Sequence, residues 1–153
     1  MSWNFAKFKL SNKFNKEKYD VGILQEKAVL PLLKVFFNDD SIVNLPEGHT
    51  FDFKGNNKYI ELKSRSCKQQ TYTDTAIGVS KIRQAYKDVS TTQYYFVFKF
   101  SDGMYYWKYD SSVKLRTAMI YNIPHLFIPN SVLLPMVEEK SVRFAKENST
   151  HYI

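Results

Sequence analysis

The chain has 153 residues, of which 44% are hydrophobic and 16% aromatic; this composition excludes a disordered chain and fits one globular domain. A net charge of +7 favours a polyanionic partner such as nucleic acid, although a lysine-rich surface can also serve solubility alone. The single cysteine, Cys67, excludes an internal disulfide and favours a reducing, intracellular setting.

Membrane insertion and secretion are not expected from this sequence. No apolar run approaches the roughly 20 residues that span a bilayer, and residues 1–20 lack the apolar stretch of a secretory signal. We therefore expect a soluble protein of the cytoplasm or nucleus with no membrane partner. The heavy use of Lys, Asn, Phe and Tyr is typical of an AT-rich genome, such as that of a virus or phage.

Residues 20–37 are predicted to form the first helix, because apolar side chains recur along one stripe. The residues expected on its buried side are Val21, Leu24, Ala28 and Leu32. Asp20 is the predicted N-cap. Pro31 cannot donate a hydrogen bond to Lys27, which predicts a kink or two consecutive helical pieces. A loop with a short strand at residues 41–45 follows.

A hairpin is predicted within residues 49–65, and a second helix over residues 75–88. The residues expected on the buried side of that helix are Ala76, Val79, Ile82 and Tyr86. Residues 92–100 and 104–110 are rich in aromatic residues and flank a tight-turn sequence, which predicts a second hairpin.

The rest of the chain is predicted to form short strands and a last helix. Residues 118–123 and 125–129 are expected to be extended, with Pro124 and Pro129 keeping them at sheet edges. The last helix is expected over residues 131–147.

This order of elements predicts an α/β or α+β fold, in which helices flank a central mixed β-sheet. Residues 1–153 are expected to form a single domain. Its core would span about residues 20–110, and the C-terminal strands and helix would occupy residues 111–153.

The alternation of side chains fixes an expected register for the first hairpin. With a two-residue turn at residues 56–57, Phe53 pairs with Ile60. Asp52 then lies directly opposite Glu61, where Cβ atoms of paired residues are about 4.5–5.5 Å apart. The apolar face of this hairpin is expected to consist of Phe51, Phe53, Ile60 and Leu62.

Two facing carboxylates need a compensating charge. Like charges about 4 Å apart repel by roughly 4 kcal/mol at an effective dielectric near 20. Mg²⁺ offsets such repulsion and favours one or two carboxylates together with water and phosphate oxygens. Lys63 shares the face of Glu61, so its ammonium could serve the attacking water or the charge on a scissile phosphate. The hairpin is thus either a phosphodiester-cleaving metal site or an ordinary solvated sheet face.

An acid, a spacer and then acid–any–lysine on the next strand resembles the signature of the PD-(D/E)XK nuclease superfamily, which has the restriction-endonuclease-like fold. Here Asp52 is followed, after eight residues, by Glu61-Leu62-Lys63. Many members add a glutamate from the preceding helix, and Glu26 has that position in this sequence. The order of elements over residues 20–110 is also similar to the core of that superfamily.

The resemblance implies a Mg²⁺-dependent deoxyribonuclease, with Mn²⁺ as a substitute, that leaves a 5′-phosphate. Asp52, Glu61 and the Leu62 carbonyl would hold the metal, Glu26 would assist, and Lys63 would serve the water and the transition state. The implied partners are DNA and a second copy of the chain, since cutting two strands needs two sites. The short length favours a structure-specific substrate, a junction or an end, over long sequence readout, and a compact restriction enzyme stays open as an alternative.

The predicted nucleic-acid contacts are Arg65, Lys68 and Lys81, although a charge run on a helix is more often only its solvated face. Two alternatives to a nuclease stay open. One is a catalytically inactive nucleic-acid-binding module of the same fold, and the other is a structural protein whose excess lysine only aids solubility.

Overall fold

A six-stranded sheet and a three-stranded sheet organise the protein, whose computed structural model describes residues 12–136, with side chains from residue 22 onward. The helices of this range are α1 (Asn12–Phe36) and α2 (Val79–Lys87), with a 3₁₀ turn at Asn130–Val132. Its strands are β1 (Val43–Asn44), β2 (Phe53–Gly55), β3 (Lys58–Ser64), β4 (Asp74–Gly78), β5 (Gln93–Phe100), β6 (Gly103–Lys108), β7 (Arg116–Ile120), β8 (Ile123–Pro129) and β9 (Leu134–Pro135).

The larger sheet has the strand order β1-β2-β3-β5-β6-β9. Strands β3 and β5 are parallel and the other neighbours are antiparallel, so the sheet is mixed. The connection from β3 to β5 passes through β4 and α2. Strand β4 belongs to the smaller antiparallel sheet, whose order is β4-β8-β7. The predicted mixed α+β class is confirmed, and the separate smaller sheet was not foreseen.

The larger sheet buries both of its faces. On one face it packs against α1 through a mainly aliphatic core, called the aliphatic core below, of Val29, Leu33, Ile42, Phe53, Ile60, Leu62 and Val97. On the other face an aromatic core packs against α2 and the smaller sheet, and includes Phe51, Ile77, Ile82, Tyr94, Phe96, Phe98 and Trp107. Each fully buried side chain of this size contributes about 1.5–3 kcal/mol of transfer free energy.

Helix α1 is longer than predicted and buries a different stripe. It begins at Asn12, so Asp20 lies inside it and is not its N-cap, and it runs as one element through the exposed Pro31. Val29 and Leu33 face the sheet. Of the residues predicted to be buried, Leu24, Ala28 and Leu32 are exposed instead, and the side chain of Val21 lies outside the description. Apolar residues occur on more than one side of this helix, so periodicity alone could not select the face that meets the sheet.

The predicted helix over residues 75–88 was wrong at its start, because residues 74–78 form β4 and the helix covers only Val79–Lys87. Pairing with β8, which is distant in sequence, outweighs the local helical pattern there. Tyr86, which was expected to be buried, is exposed. The predicted last helix is wrong for residues 131–136, where a 3₁₀ turn and β9 occur, and its remainder lies outside the described residues.

The two prolines of β8 do not place this strand at a sheet edge. Strand β8 is central in the smaller sheet, between β4 and β7. Pro124 pairs only with β7, and Pro129 pairs only with β4. Each proline therefore lies where β8 has a neighbour on one side alone, so its missing N–H leaves the ladder intact.

Candidate active site

The hairpin of β2 and β3 has the predicted turn and, over Phe53–Gly55, the predicted register. The expected direct pairing of Asp52 with Glu61 is not part of the ladder, because β2 begins at Phe53. Gly55 pairs with Lys58 across the two residues Asn56 and Asn57, and Phe53 pairs with Ile60. Asn57 has a φ of 55°, a left-handed conformation that asparagine tolerates. The turn that the register depended on is confirmed.

Asp52 directly precedes β2 and lies in a bend, outside the regular ladder of hydrogen bonds between β2 and β3. The Leu62 amide donates to Asp52 Oδ2 at 2.8 Å, and the Asp52 amide donates to the Ile60 carbonyl at 3.2 Å. In an uninterrupted ladder the Leu62 amide would meet the Phe51 carbonyl. A carboxylate oxygen thus replaces a strand carbonyl, which ties the Asp52 side chain to β3.

This departure makes the predicted apolar face wrong for Phe51. Its ring lies on the opposite side of the sheet from Phe53, with centroids 5.2 Å from Tyr94 and 5.8 Å from Tyr59. The bend at Asp52 breaks the two-residue alternation on which the expectation rested.

Glu61 is the most buried acid of the described residues, at 1% exposure. Its Oε2 lies 3.4 Å from the Nζ atoms of both Lys63 and Lys81. Its Oε1 accepts no hydrogen bond from any donor in the described residues. Burial, and then the charge of Asp52, raise the pKa of Glu61 to about 8, against the opposing effect of the two lysines.

Glu26 approaches the same place from α1. Asn44 Nδ2 of β1 donates to Glu26 Oε2 at 3.3 Å. Burial, followed by the charge and hydrogen bonding of Asp52, raises the pKa of Glu26 to about 7. Because Asp52 acts on Glu26 and Glu61 alike, it is the central acid of a cluster that brings the three predicted carboxylates together.

The two lysines differ in their surroundings. The Lys63 side chain is 38% exposed, so its ammonium is open to solvent and to a ligand. The Lys81 side chain, in the first turn of α2, is 19% exposed and also donates to the Thr50 carbonyl. Lys81 was predicted as a nucleic-acid contact, and its ion pair with Glu61 was missed. Asn44 was missed too, because the polar loop before β2 gives no signal that it folds against α1.

The Leu62 carbonyl is directed toward the acids. In a strand the N–H and C=O groups of one residue point to the same side, and the Leu62 amide points to Asp52. The Leu62 side chain lies in the aliphatic core beneath α1. Asp52, Glu61 and this carbonyl therefore form a set of oxygen donors at one sheet edge.

Oxygen donors of this kind suit a hard divalent cation. Within residues 22–136, no three His, Cys, Asp or Glu side chains are arranged to hold a metal ion by themselves. Two carboxylates, one carbonyl and water are nevertheless a donor set that Mg²⁺ accepts. The ion pairs of Glu61 with the two lysines are made by Oε2. The buried Oε1 has no donor among the described residues, so it is available to bind a cation.

Arg65 has a structural position. Its guanidinium donates to Thr75 Oγ1 at 3.3 Å and to the Ala76 carbonyl at 2.7 Å, which joins β3 to β4. Burial lowers the pKa of Arg65. Lys68 is exposed nearby. Arg65, Lys68 and Lys81 all line a cleft of about 590 Å³ between the two sheets, and Lys63 is part of the same lining.

Comparison with known proteins finds no matching family model, no matching curated sequence and no matching solved structure. Membership of the nuclease superfamily therefore stays a prediction that rests on the residues of this chain. In residues 12–136, no helix has both the length and the apolar character needed to cross a bilayer.

Proposed function

We propose that this protein is a Mg²⁺-dependent nuclease that hydrolyses phosphodiester bonds of DNA, at junctions or ends. The proposal includes membership of the PD-(D/E)XK superfamily. Mn²⁺ is the expected substitute cation, and a homodimer remains an expectation of the resemblance.

The observation that carries the proposal is the half-paired carboxylate of Glu61, whose Oε2 lies beside two lysines while its buried Oε1 has no donor among the described residues. Burial and the charge of Asp52 raise the pKa of Glu61 to about 8, so ionising this carboxyl has a cost that a divalent cation would relieve. Two further acids, Glu26 and Asp52, increase the negative charge at the same point. A sheet face with a purely structural role would not need three adjoining acids.

Each residue then has a role that its position supports. Asp52, Glu61 and the Leu62 carbonyl would hold the cation, and Glu26, steadied by Asn44, would bind its water shell. The chemistry that the cation supplies when bound is Lewis-acid activation of the phosphodiester and of water. The partly exposed Lys63 ammonium orients that water and stabilises the negative charge that develops on the phosphate.

The test is cleavage of plasmid, linear and branched DNA by the wild-type protein and by Lys63→Ala, each with Mg²⁺, Mn²⁺ or EDTA. We expect metal-dependent cleavage by the wild type and a loss of about 10²–10³-fold or more in Lys63→Ala, the usual effect of removing one electrostatic stabiliser. Lys54→Ala is the matched control, because Lys54 belongs to a second acid–any–lysine triplet, is exposed and does not contact Glu61.

The outcomes separate the candidate functions. Equal losses in Lys54→Ala and Lys63→Ala would contradict the role given to Lys63. Salt-sensitive DNA binding with no cleavage of any substrate would instead identify a catalytically inactive binding module. A protein that neither binds nor cleaves DNA would have a structural role.

A further inference from the structure

The cleft between the two sheets reaches the candidate active site. The end of β3 and its following loop form one wall, and β4, β7 and β8 form the other. Lys63 and Lys81, which both contact Glu61, are part of its lining. A strand that enters the cleft would therefore pass by the two lysines that contact Glu61.

The cleft has the charge that suits a polyanion. Five of its lining residues are cations: Lys63, Arg65, Lys68, Lys81 and Arg116. Among the described residues, Asp74 is the one acid in the lining, and it is already paired with Arg116 through bonds of 3.0 and 3.2 Å. The excess of positive charge favours a ligand that carries several phosphates.

Aromatic surfaces accompany these cations. The Tyr72 side chain is 67% exposed in the lining. The Arg116 guanidinium lies 4.0 Å from the centre of the Phe127 ring, so that a flat stacked surface faces the cleft. Rings and guanidinium planes next to cations are the features that bind unpaired bases with little sequence preference.

The size of the cleft suits a short stretch of a single strand. A volume of about 590 Å³ lies within the range of small-ligand pockets, roughly 300–1,000 Å³. Such a space accommodates one or two nucleotides of an unpaired strand.

We propose that this cleft binds an unpaired strand of DNA next to the bond that is cut, so that the substrates are DNA molecules with a single-stranded end, flap or branch. The position of the cut rests on the proposed nuclease function, whereas strand binding in the cleft does not.

Binding is tested with fluorescent single-stranded dT12 and a blunt duplex of the same length, both in EDTA so that cleavage is absent. The cleft variant is Lys68→Ala/Tyr72→Ala. The matched control is Tyr86→Ala/Lys87→Ala, which removes the same two residue types from exposed positions on α2 outside the cleft.

We expect the cleft variant to bind dT12 about tenfold more weakly than the wild type, the effect of losing one stacking contact and one phosphate contact. The slope of log affinity against log salt should fall by about 0.7 for the lost lysine. The control variant should stay within about twofold of the wild type, and thermal melts should show both variants folded.

Cys67 supplies an independent measurement, since it is the only cysteine of the chain and lines the same cleft. Bound dT12 should slow its reaction with a thiol reagent severalfold, and the blunt duplex should not. Equal affinities of the two double variants, or equal protection by dT12 and duplex, would overturn the proposal.

The two proposals fail separately. Cleavage of blunt duplex DNA that is unaffected by the cleft variant would reject the strand-binding cleft and leave the nuclease standing. Binding of dT12 in the cleft without cleavage of any substrate would reject the nuclease and support the cleft.

Discussion

Asp39 and Glu61 are two largely buried acids beside the same hairpin, and their surroundings are opposite. Asp39 accepts hydrogen bonds from Lys58 Nζ at 2.7 Å and from the Ser41 and Asn56 amides at 2.9 Å each. Burial opposes its ionisation, but these donors together outweigh burial and lower the pKa of Asp39. Gly55 permits the approach, because a Cβ there would lie 2.6 Å from Asp39 Oδ2.

Glu61 has no comparable set of donors. Two lysines lie at 3.4 Å from one oxygen, the other oxygen has no donor among the described residues, and the pKa of Glu61 is raised to about 8. Asp39 therefore stabilises the turn end of the hairpin, whereas the buried charge of Glu61 at the other end lowers the free energy of unfolding. Such a cost is typical of functional sites, where activity and stability are traded against each other.

The strongest test of this contrast between Asp39 and Glu61 is Glu61→Gln, which removes the charge and keeps the shape of the side chain. Cleavage should fall about 10³-fold, because the cation loses an anionic ligand. Without metal, the variant should be more stable than the wild type at pH 8 by about 1–2 kcal/mol, since a neutral amide avoids the cost of a buried charge. Activity assays and denaturation in EDTA measure the two effects.

The pH dependence of that stability has a defined sign. Because the pKa of Glu61 is raised from 4.5 to about 8 in the fold, its contribution is full below pH 4.5 and is lost as the pH rises through 8. Glu26, with a pKa near 7, contributes in the same direction. Wild-type protein in EDTA should lose stability over this window more steeply than Glu61→Gln. The control Glu47→Gln, at an exposed acid, should behave as the wild type. If Glu61→Gln is less stable than the wild type at pH 8, the buried charge of Glu61 does not destabilise the fold.

The other half of the contrast is tested by Asp39→Asn. Removing a charge-assisted partner of Lys58 should cost about 2 kcal/mol at pH 7. Since the pKa of Asp39 is lowered, its stabilisation is present above the ordinary value of 3.8 and is lost as the pH falls further. The deficit of the variant, measured by urea denaturation, should therefore shrink below about pH 4.

Asp40→Asn is the matched control for this experiment, because Asp40 is the exposed neighbour of Asp39. It should change the free energy of unfolding by less than about 0.5 kcal/mol. A deficit of Asp39→Asn that is the same at pH 3 and pH 7 would show that packing, and not charge, holds the turn.

Sequence alone predicted the parts of the site that local rules determine. The Asn56-Asn57 turn and the alternation of apolar residues in β3 set the register of Phe53–Gly55 against β3, which leaves Asp52 next to β3. Asp52 and Glu61 were predicted from the hairpin, and Glu26 only from the resemblance to nucleases that add a glutamate from the preceding helix. The bend at Asp52 still carries Phe51 to the other face, since the carboxylate, and not a strand carbonyl, accepts the Leu62 amide.

Contacts between distant segments could not be predicted in the same way. Lys81 reaches Glu61 only because α2 begins at Val79, after a strand that pairs with β8. The buried face of α1 depends on which of its apolar stripes meets the sheet, a choice made by tertiary packing. The cleft likewise exists only because the smaller sheet forms opposite β3.

The finest test of the contrast is Lys81→Met, which removes one of the two cations beside Glu61 and keeps much of the side-chain volume. Lys81 lowers the pKa of Glu61 and would compete with a divalent cation for the same carboxylate. At pH 9, above the pKa of Glu61 in the wild type, the variant should bind Mg²⁺ about fivefold more tightly, equivalent to about 1 kcal/mol for a partly screened pair. The measurement is the Mg²⁺ dependence of the melting temperature. Lys87→Met, at the exposed end of α2, should leave it unchanged. Weaker Mg²⁺ binding by Lys81→Met would mean that Lys81 orients Glu61 for the cation, and the view of Lys81 as its competitor would be wrong.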